Sequence, residues 1–313
     1  MLLVQAIYLC GINFALATEA PYLDLNDGNK IPTVALGTGR GTAHGSSVDE
    51  VRDAVLWAIE EGYRHIDTAV LYEDEVQVGQ GVADAIAKGL VTREQVFITT
   101  KLPNDKHARE QVVPTLKESL AKLGVDYVDL FLIHFPLATK SDGSPDDIDY
   151  LETWRGMEDA KQLGLVKSIG VSNFNIEQID RVLAEGKVKP AVNQIEVHPA
   201  HTNEELVIHC QNKGITVMAY SPFGFLVPRR YAGASPPPPP QIDNPTLVKI
   251  GEKYGKSTGQ VVLRYLIDRG LIIVPKSTNK QRIAQNINLF DFKLTQEEVA
   301  TINKFNKNRS VFE

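Results

Sequence analysis

Cysteine is almost missing from this sequence: two residues in 313, Cys10 and Cys210. Cys10 lies in an apolar leader expected to be removed, which leaves Cys210 alone and rules out an internal disulfide. The chain has to stand on a buried core instead, and 43% hydrophobic with 23% charged residues is enough for one. An excess of positive charge is missing as well. A net charge of −6 excludes a nucleic-acid groove or a polybasic membrane patch, while still allowing a local basic pocket. The expected partner is therefore a small molecule, with no nucleic acid and no membrane, and the absence of any dimerisation stripe makes a monomer the default. Metal-ligand spacing is also lacking. The one close histidine pair, His198-Pro-Ala-His201, is broken by Pro199, so no metal is expected. His198 reads as scaffold, and His201 and His209 as surface residues.

Long apolar runs are confined to the beginning. Residues 1–17, MLLVQAIYLCGINFALA, end in Ala15-Leu16-Ala17 and read as a secretory signal cleaved before Thr18, although no Lys or Arg precedes the apolar stretch. The mature barrel is then 18–313 and the expected location is extracellular. An uncleaved extension on a cytoplasmic protein is the alternative. One glycosylation sequon, Asn308-Arg309-Ser310, lies close to the C-terminus.

What is present is rhythm. YLDLNDGNKIPTVALG predicts a hairpin turning at Asp27-Gly28. Eight short apolar or β-branched runs follow: TVALGT, HIDTA, VFITTKL, VDLFLIHF, SIGVSN, AVNQIEV, TVMAYSP and IIVPKS. Segments with apolar residues at three- and four-residue steps separate them, as in SVDEVRDAVLWAIEEG. Strands alternating with helices predict an α/β fold, a single (β/α)8 TIM barrel with an N-terminal β-hairpin. The rival is an open doubly wound sheet, which binds nucleotide at a glycine-rich first turn. Here that turn is GTGRGTAHGSS, which lacks the G-x-G-x-x-G spacing. One connection breaks the rhythm: GFLVPRRYAGASPPPPPQIDNP, with Pro236 to Pro240 favouring polyproline II, is long enough to be a lid or an inert spacer.

Barrel enzymes carry their reacting groups at the C-terminal ends of strands. Asp67 ends HID, Tyr72 follows in the loop, Lys101 ends FITTK and His134 ends DLFLIH. Singly, each has a structural explanation: a helix cap, a packing ring, a snorkelling lysine, a satisfied core histidine. Together they form a device. Tyr72 can protonate a nascent alkoxide if Lys101 lowers its pKa, Asp67 can hold Lys101, and His134 can orient a carbonyl by a hydrogen bond.

The strings GYRHIDTAVLYEDE (Gly62 to Glu75), FITTKL, DLFLIHFP, GVSNF, NQIEVHP, AYSPFG and IVPKST, in that order, make the chain resemble the aldo-keto reductase family from about Tyr22 to Glu313. The resemblance implies a catalytic tetrad of Asp67, Tyr72, Lys101 and His134, and NADPH as hydride donor. It implies that Ser172, Asn173 and Gln194 bind the nicotinamide carboxamide and that Tyr220 stacks on its ring. Gly37, Thr38, Ser221 and Phe223 would line the rest of the groove, with Ser221 at the pyrophosphate. Lys276, Ser277, Thr278 and Arg282 would take the 2′-phosphate, and Gln285 and Asn286 the adenine. Aromatic residues common in aldose and aldehyde reductases are absent at the substrate pocket, where Gly39, Pro103 and Phe135 stand, and the C-terminal tail is short. Both departures imply a wide site for a bulky ketone. With the leader, they make the chain resemble the secreted 3-dehydroecdysone reductases of insects, a resemblance that implies reduction of that steroid's 3-ketone. A broad detoxifying reductase is the alternative, and a redox-sensing or structural barrel protein the more distant one.

Overall fold

The computed structural model describes residues 20–39, 48–227 and 240–312. The leader with its expected cleavage point, the first turn beyond Gly39 and residues 228–239 of the proline-rich connection lie outside the described residues.

The predicted hairpin is present. β1 (Tyr22–Asp24) runs antiparallel to β2 (Lys30–Pro32), with Gly28 at φ +86°, a left-handed geometry that glycine adopts without a Cβ penalty. Its turn is tied to the segments that start the barrel strands. Asn26 Nδ2 donates to Pro190 O (2.8 Å) and Gly214 O (2.9 Å), Asn29 Nδ2 donates to Ser168 Oγ (3.0 Å), and Lys161 Nζ reaches Asp27 Oδ2 at 2.6 Å. The hairpin thus covers the N-terminal end of the barrel.

Strands and helices then alternate: β3 (Leu36–Gly37), α1 (Val48–Glu60), β4 (His65–Asp67), α2 (Glu75–Ala87), β5 (Phe97–Leu102), α3 (Arg109–Leu123), β6 (Val128–Ile133), α4 (Tyr150–Gln162), β7 (Val166–Ser172), α5 (Ile176–Glu185), β8 (Val192–Glu196), α6 (Glu204–Asn212), β9 (Thr216–Tyr220), α7 (Pro245–Tyr254), α8 (Thr258–Asp268), β10 (Ile272–Val274), α9 (Lys280–Ile287) and α10 (Gln296–Asn303). Strands β3 to β10 pair in chain order, all parallel. The ring closes through Ala35 N to Ile273 O (2.9 Å) and Gly37 N to Pro275 O (3.0 Å). All eight predicted runs are barrel strands, and the open sheet is excluded. One connection departs from the simple alternation. The seventh barrel strand, β9, is followed by two helices, because Asn244 caps a separate helix that Pro245 opens before α8 begins.

Strand side chains alternate in direction, and that alternation sets the site. Leu130 and Leu132 of β6 face the interior with Leu25, Ala35, Phe97, Val192 and Met218, while Phe131 and Ile133 face the helices and pack with Trp154 and Met157. Carried along each strand, the interior phase reaches Asp67 after His65, Lys101 after Thr99, His134 after Leu132, Gln194 after Val192 and Tyr220 after Met218. These five residues lie toward the C-terminal mouth of the barrel interior.

Candidate active site

Lys101 is fully buried. Its Nζ donates to Asp67 Oδ1 at 2.7 Å and to Thr68 O at 2.9 Å, and lies 3.4 Å from the Tyr72 hydroxyl. Burial alone would lower the lysine pKa, but the Asp67 carboxylate and Tyr72 outweigh it and hold it above its ordinary value. Asp67 is itself fixed from the other side, since Gln194 Nε2 donates to its Oδ2 at 2.7 Å. Each carboxylate oxygen thus has one donor, which a buried ion pair needs to offset its desolvation.

Tyr72 ends a 3₁₀ turn, Val70–Tyr72, that follows β4 directly. The turn is closed by Tyr72 N to Ala69 O (3.0 Å) and anchored by Thr68 Oγ1 to Asp74 Oδ1 (2.6 Å). It returns the phenol over the mouth, 4.9 Å from Lys101 Nζ to ring centre. The expected lowering of the tyrosine pKa does not hold. Burial raises it and Lys101 pulls it down only in part, so the hydroxyl stays above its ordinary value. Lys101 spends its charge chiefly on Asp67.

His134 packs edge-to-face on Tyr72, with ring centres 5.6 Å apart. Burial and the Lys101 charge push its pKa down to about 3, so the ring is neutral at physiological pH. Its Nδ1 is buried without a hydrogen-bond partner. A buried N–H left unpaired costs more than an unpaired acceptor, which favours the proton on Nε2.

The expected carboxamide residues form a connected chain. Asn173, at φ +64°, donates from Nδ2 to His134 O (2.9 Å) and Ser172 Oγ (3.1 Å) and accepts from Tyr220 OH (2.8 Å), while Ser172 Oγ donates to Gln194 O (2.8 Å). Gln194 Oε1 makes no hydrogen bond among the described residues. The set therefore offers an acceptor and polar edges beside an aromatic ring, the chemistry a nicotinamide carboxamide requires. Thr38 is buried and bonded to Asp67 O, and Gly37 lies so close to Val274 that an added Cβ would sit 3.1 Å from its side chain. Ser221 is left-handed at φ +48°, and the Phe223 ring lies 3.5 Å from where a Cβ on Gly259, in α8, would be.

Beyond β10, which pairs Val274 with Tyr220, Lys276, Ser277 and Thr278 lead to Asn279, whose side chain caps α9 by accepting from Arg282 N. Lys276, Arg282 and Gln285 are exposed and Asn286 is buried. Two exposed cations in sequence thus flank the first turn of α9, whose N-terminus suits a phosphate. Lys280 is turned away, toward Glu60 at 3.3 Å.

The three pocket departures have distinct settings. A Cβ on Gly39 would stand 3.1 to 3.3 Å from the Tyr72 ring, so the glycine backbone packs close against that ring and a side chain there would press on it. Phe135 stacks on His134 at 4.9 Å and is exposed, whereas Pro103 is buried. The short tail does not leave the mouth open as expected. It folds back until Phe312 meets Tyr220 edge-to-face at 5.8 Å. His198 is buried against Glu196, as a scaffold residue should be, whereas His201 and His209, expected at the surface, are half-buried. The sequence reading missed the Thr68 carbonyl that receives Lys101, and it missed Glu196, although interior alternation from Gln194 would have found the latter.

Residues 33–307 match the Aldo/keto reductase family. The chain is 68% identical over 299 residues to aldo-keto reductase AKR2E4 of Bombyx mori, covering 95% of this chain and 96% of that one. It is 41% identical to aldo-keto reductase family 1 member A1 of Gallus gallus, over 92% and 89% of the two chains. The crystal structure of the Bombyx mori AKR2E4 protein in complex with NADP matches at a TM-score of 0.92 and 67% identity, covering 95% and 96% of the chains. That of silkworm AKR2E5 complexed with NADPH matches at 0.90 and 44%, covering 94% and 90%. A matched family over most of the chain, a shared barrel and a relative at two-thirds identity agree: the chain belongs to the aldo/keto reductase family.

Proposed function

We propose that this chain reduces a carbonyl compound with NADPH, and that Tyr72 delivers the proton. The observation that carries the reading is the convergence of the buried Lys101 ammonium on both Asp67 and the Tyr72 hydroxyl, beside a neutral His134. Relatives solved with NADP and NADPH support the choice of cofactor. When bound, the cofactor supplies a hydride to the carbonyl carbon. Gln194, Asn173 and Ser172 would hold its carboxamide and Tyr220 its ring. Lys276, Ser277, Thr278 and Arg282 would hold the 2′-phosphate, and Gln285 with the edge of Asn286 the adenine.

The chain's own residues then handle one oxygen. His134 Nε2–H donates to it and fixes its direction. Tyr72 O–H donates to the same oxygen and gives up its proton as negative charge develops there. A raised phenol pKa keeps Tyr72 protonated at neutral pH. The transfer still runs downhill, because an alkoxide is a much stronger base than a phenolate. Lys101 stabilises the phenolate left behind, and Asp67 keeps the ammonium within reach.

The favoured substrate is a bulky ketone, the 3-ketone of 3-dehydroecdysone. Gly39 supports it only in adding no side chain of its own beside Tyr72, where any Cβ would already stand 3.1 to 3.3 Å from the ring. Residues 1–17 fit export of the mature chain, and recovery of a chain beginning at Thr18 from the culture medium of secreting cells tests that part. NADPH oxidation by the purified protein, with 3-dehydroecdysone and an aromatic aldehyde compared side by side and Tyr72→Phe as control, tests the reaction. Tyr72-dependent turnover that favours the steroid supports the full reading. Preference for the aldehyde makes the protein a general carbonyl reductase, and no turnover with either refutes the reading.

A further inference from the structure

Glu196 ends β8 two positions beyond Gln194 and takes part in none of the contacts that join Asp67, Lys101 and Tyr72. It is nonetheless buried, at 5% exposure. Three donors converge on its carboxylate: His198 Nε2 (2.7 Å) and Val311 N (2.7 Å) on Oε1, and Ser310 Oγ (2.8 Å) on Oε2. Two of the three come from the C-terminal tail, more than a hundred residues away in sequence. The tail is also fastened by Lys307 N and Arg309 N to Ala200 O (3.0 and 3.1 Å), and Val311 packs with Ala200 and Phe225. Directly past this clamp the Phe312 ring, 64% exposed, stands edge-on to Tyr220 at 5.8 Å. Burial would raise the Glu196 pKa, but its donors hold it below the usual carboxylate range, so an ionised carboxylate holds the tail at neutral pH.

We infer that Glu196 is a positioning residue: by clamping Ser310 and Val311 it places Phe312 beside Tyr220, where the ring forms an apolar wall for the non-reacting body of a bulky carbonyl substrate. The inference rests on the reductase reading for its substrate, and on the clamp alone for its geometry. Glu196→Gln can keep the arrangement, because an amide oxygen accepts from Val311 N and an amide nitrogen donates to Ser310 Oγ. Glu196→Ala cannot.

The test has two arms on the full chain. In the first, the cofactor-free protein is trimmed with a carboxypeptidase and read by mass spectrometry. Trimming of the parent and of Glu196→Gln should stall at the buried Val311, whereas Glu196→Ala should be trimmed past Ser310 at least about tenfold faster, as for a locally released segment. Ser310→Ala, which removes one donor without touching the barrel, should fall between them. In the second arm, Glu196→Ala and Phe312→Ala should each raise KM for the bulky ketone about fivefold, the size of one lost edge-to-face contact. Both should raise the ketone KM at least about threefold more than the KM of a small aldehyde, and the double variant should be no worse than either single one. Parent-like trimming of Glu196→Ala overturns the clamp. An unchanged ketone KM in Phe312→Ala, or effects that multiply in the double variant, overturns the wall. A parent protein that turns over no carbonyl compound overturns the reductase reading and the wall with it, while the trimming arm still decides the clamp.

Discussion

Replacing Asp67 by asparagine leaves Lys101 fully buried with no carboxylate beside it. Removing one partner of a buried ion pair costs about 3–5 kcal/mol. The lower end applies here, because Thr68 O at 2.9 Å and the new amide oxygen remain as neutral acceptors. The penalty also has a ceiling, since the folded protein can shed the lysine proton. Against an ordinary lysine pKa of ~10.4, that costs about 1.4 kcal/mol per pH unit, giving a ceiling of about 4.6 kcal/mol at pH ~7 and about 1.2 at pH ~9.5. The expected loss for Asp67→Asn is therefore about 3 kcal/mol at neutral pH, shrinking to about 1 by pH ~9.5. The sign follows from linkage. In the variant the unfolded chain binds more protons than the folded one, so its stability rises with pH relative to the parent, whose Lys101 pKa is raised and stays charged across that window. Urea unfolding followed by the fluorescence of Trp57 and Trp154 at the two pH values measures the difference. A loss under about 1 kcal/mol at neutral pH, or a loss that does not change with pH, refutes the reasoning.

Tyr72→Phe should lower kcat by about a hundredfold or more while leaving NADPH affinity, measured by fluorescence titration, within about twofold. Arg282→Ala should weaken NADPH roughly tenfold and leave NADH unchanged, because only the 2′-phosphate presents a dianion to that helix terminus; equal loss for both cofactors would move the phosphate elsewhere. His65, His107 and His134 are buried, with pKa values lowered to about 4, 4 and 3, mainly by desolvation. Each is neutral when folded and charged when unfolded below the ordinary histidine pKa of about 6.5, so stability falls as pH drops through that window. At pH ~5 each should cost about 2 kcal/mol. His107, whose two ring nitrogens lack partners, is the one to replace. His107→Leu should recover about 2 kcal/mol of the acid-induced loss in urea unfolding, and a variant that is as acid-labile as the parent refutes its share.

Much of this molecule is legible in its sequence, because the barrel repeats one local pattern. Runs such as VDLFLIHF carry both their strand and, through alternation, the inward direction of His134. What could not be read rests on contacts between distant segments. Gln194 meets Asp67 across 127 positions, and Val311 meets Glu196 across 115. No local spacing encodes either distance. The direction of the Tyr72 pKa shift is hidden from the sequence for a related reason. A charge beside a phenol is visible in the motif, but the depth of burial that outweighs it exists only once the barrel has closed.

The hairpin under the barrel has a consequence for traffic. With β1 and β2 fastened across the strand starts, and with Phe97, Leu130, Leu132 and Met218 filling the interior above them, the reacting layer is the bottom of a blind well. Among the described residues, the barrel's lower end is closed, so what enters at the mouth leaves by it. Among the described residues the way below is filled, so solvent that restores the proton Tyr72 gives away comes from the mouth, and recharging the phenol is tied to emptying the well.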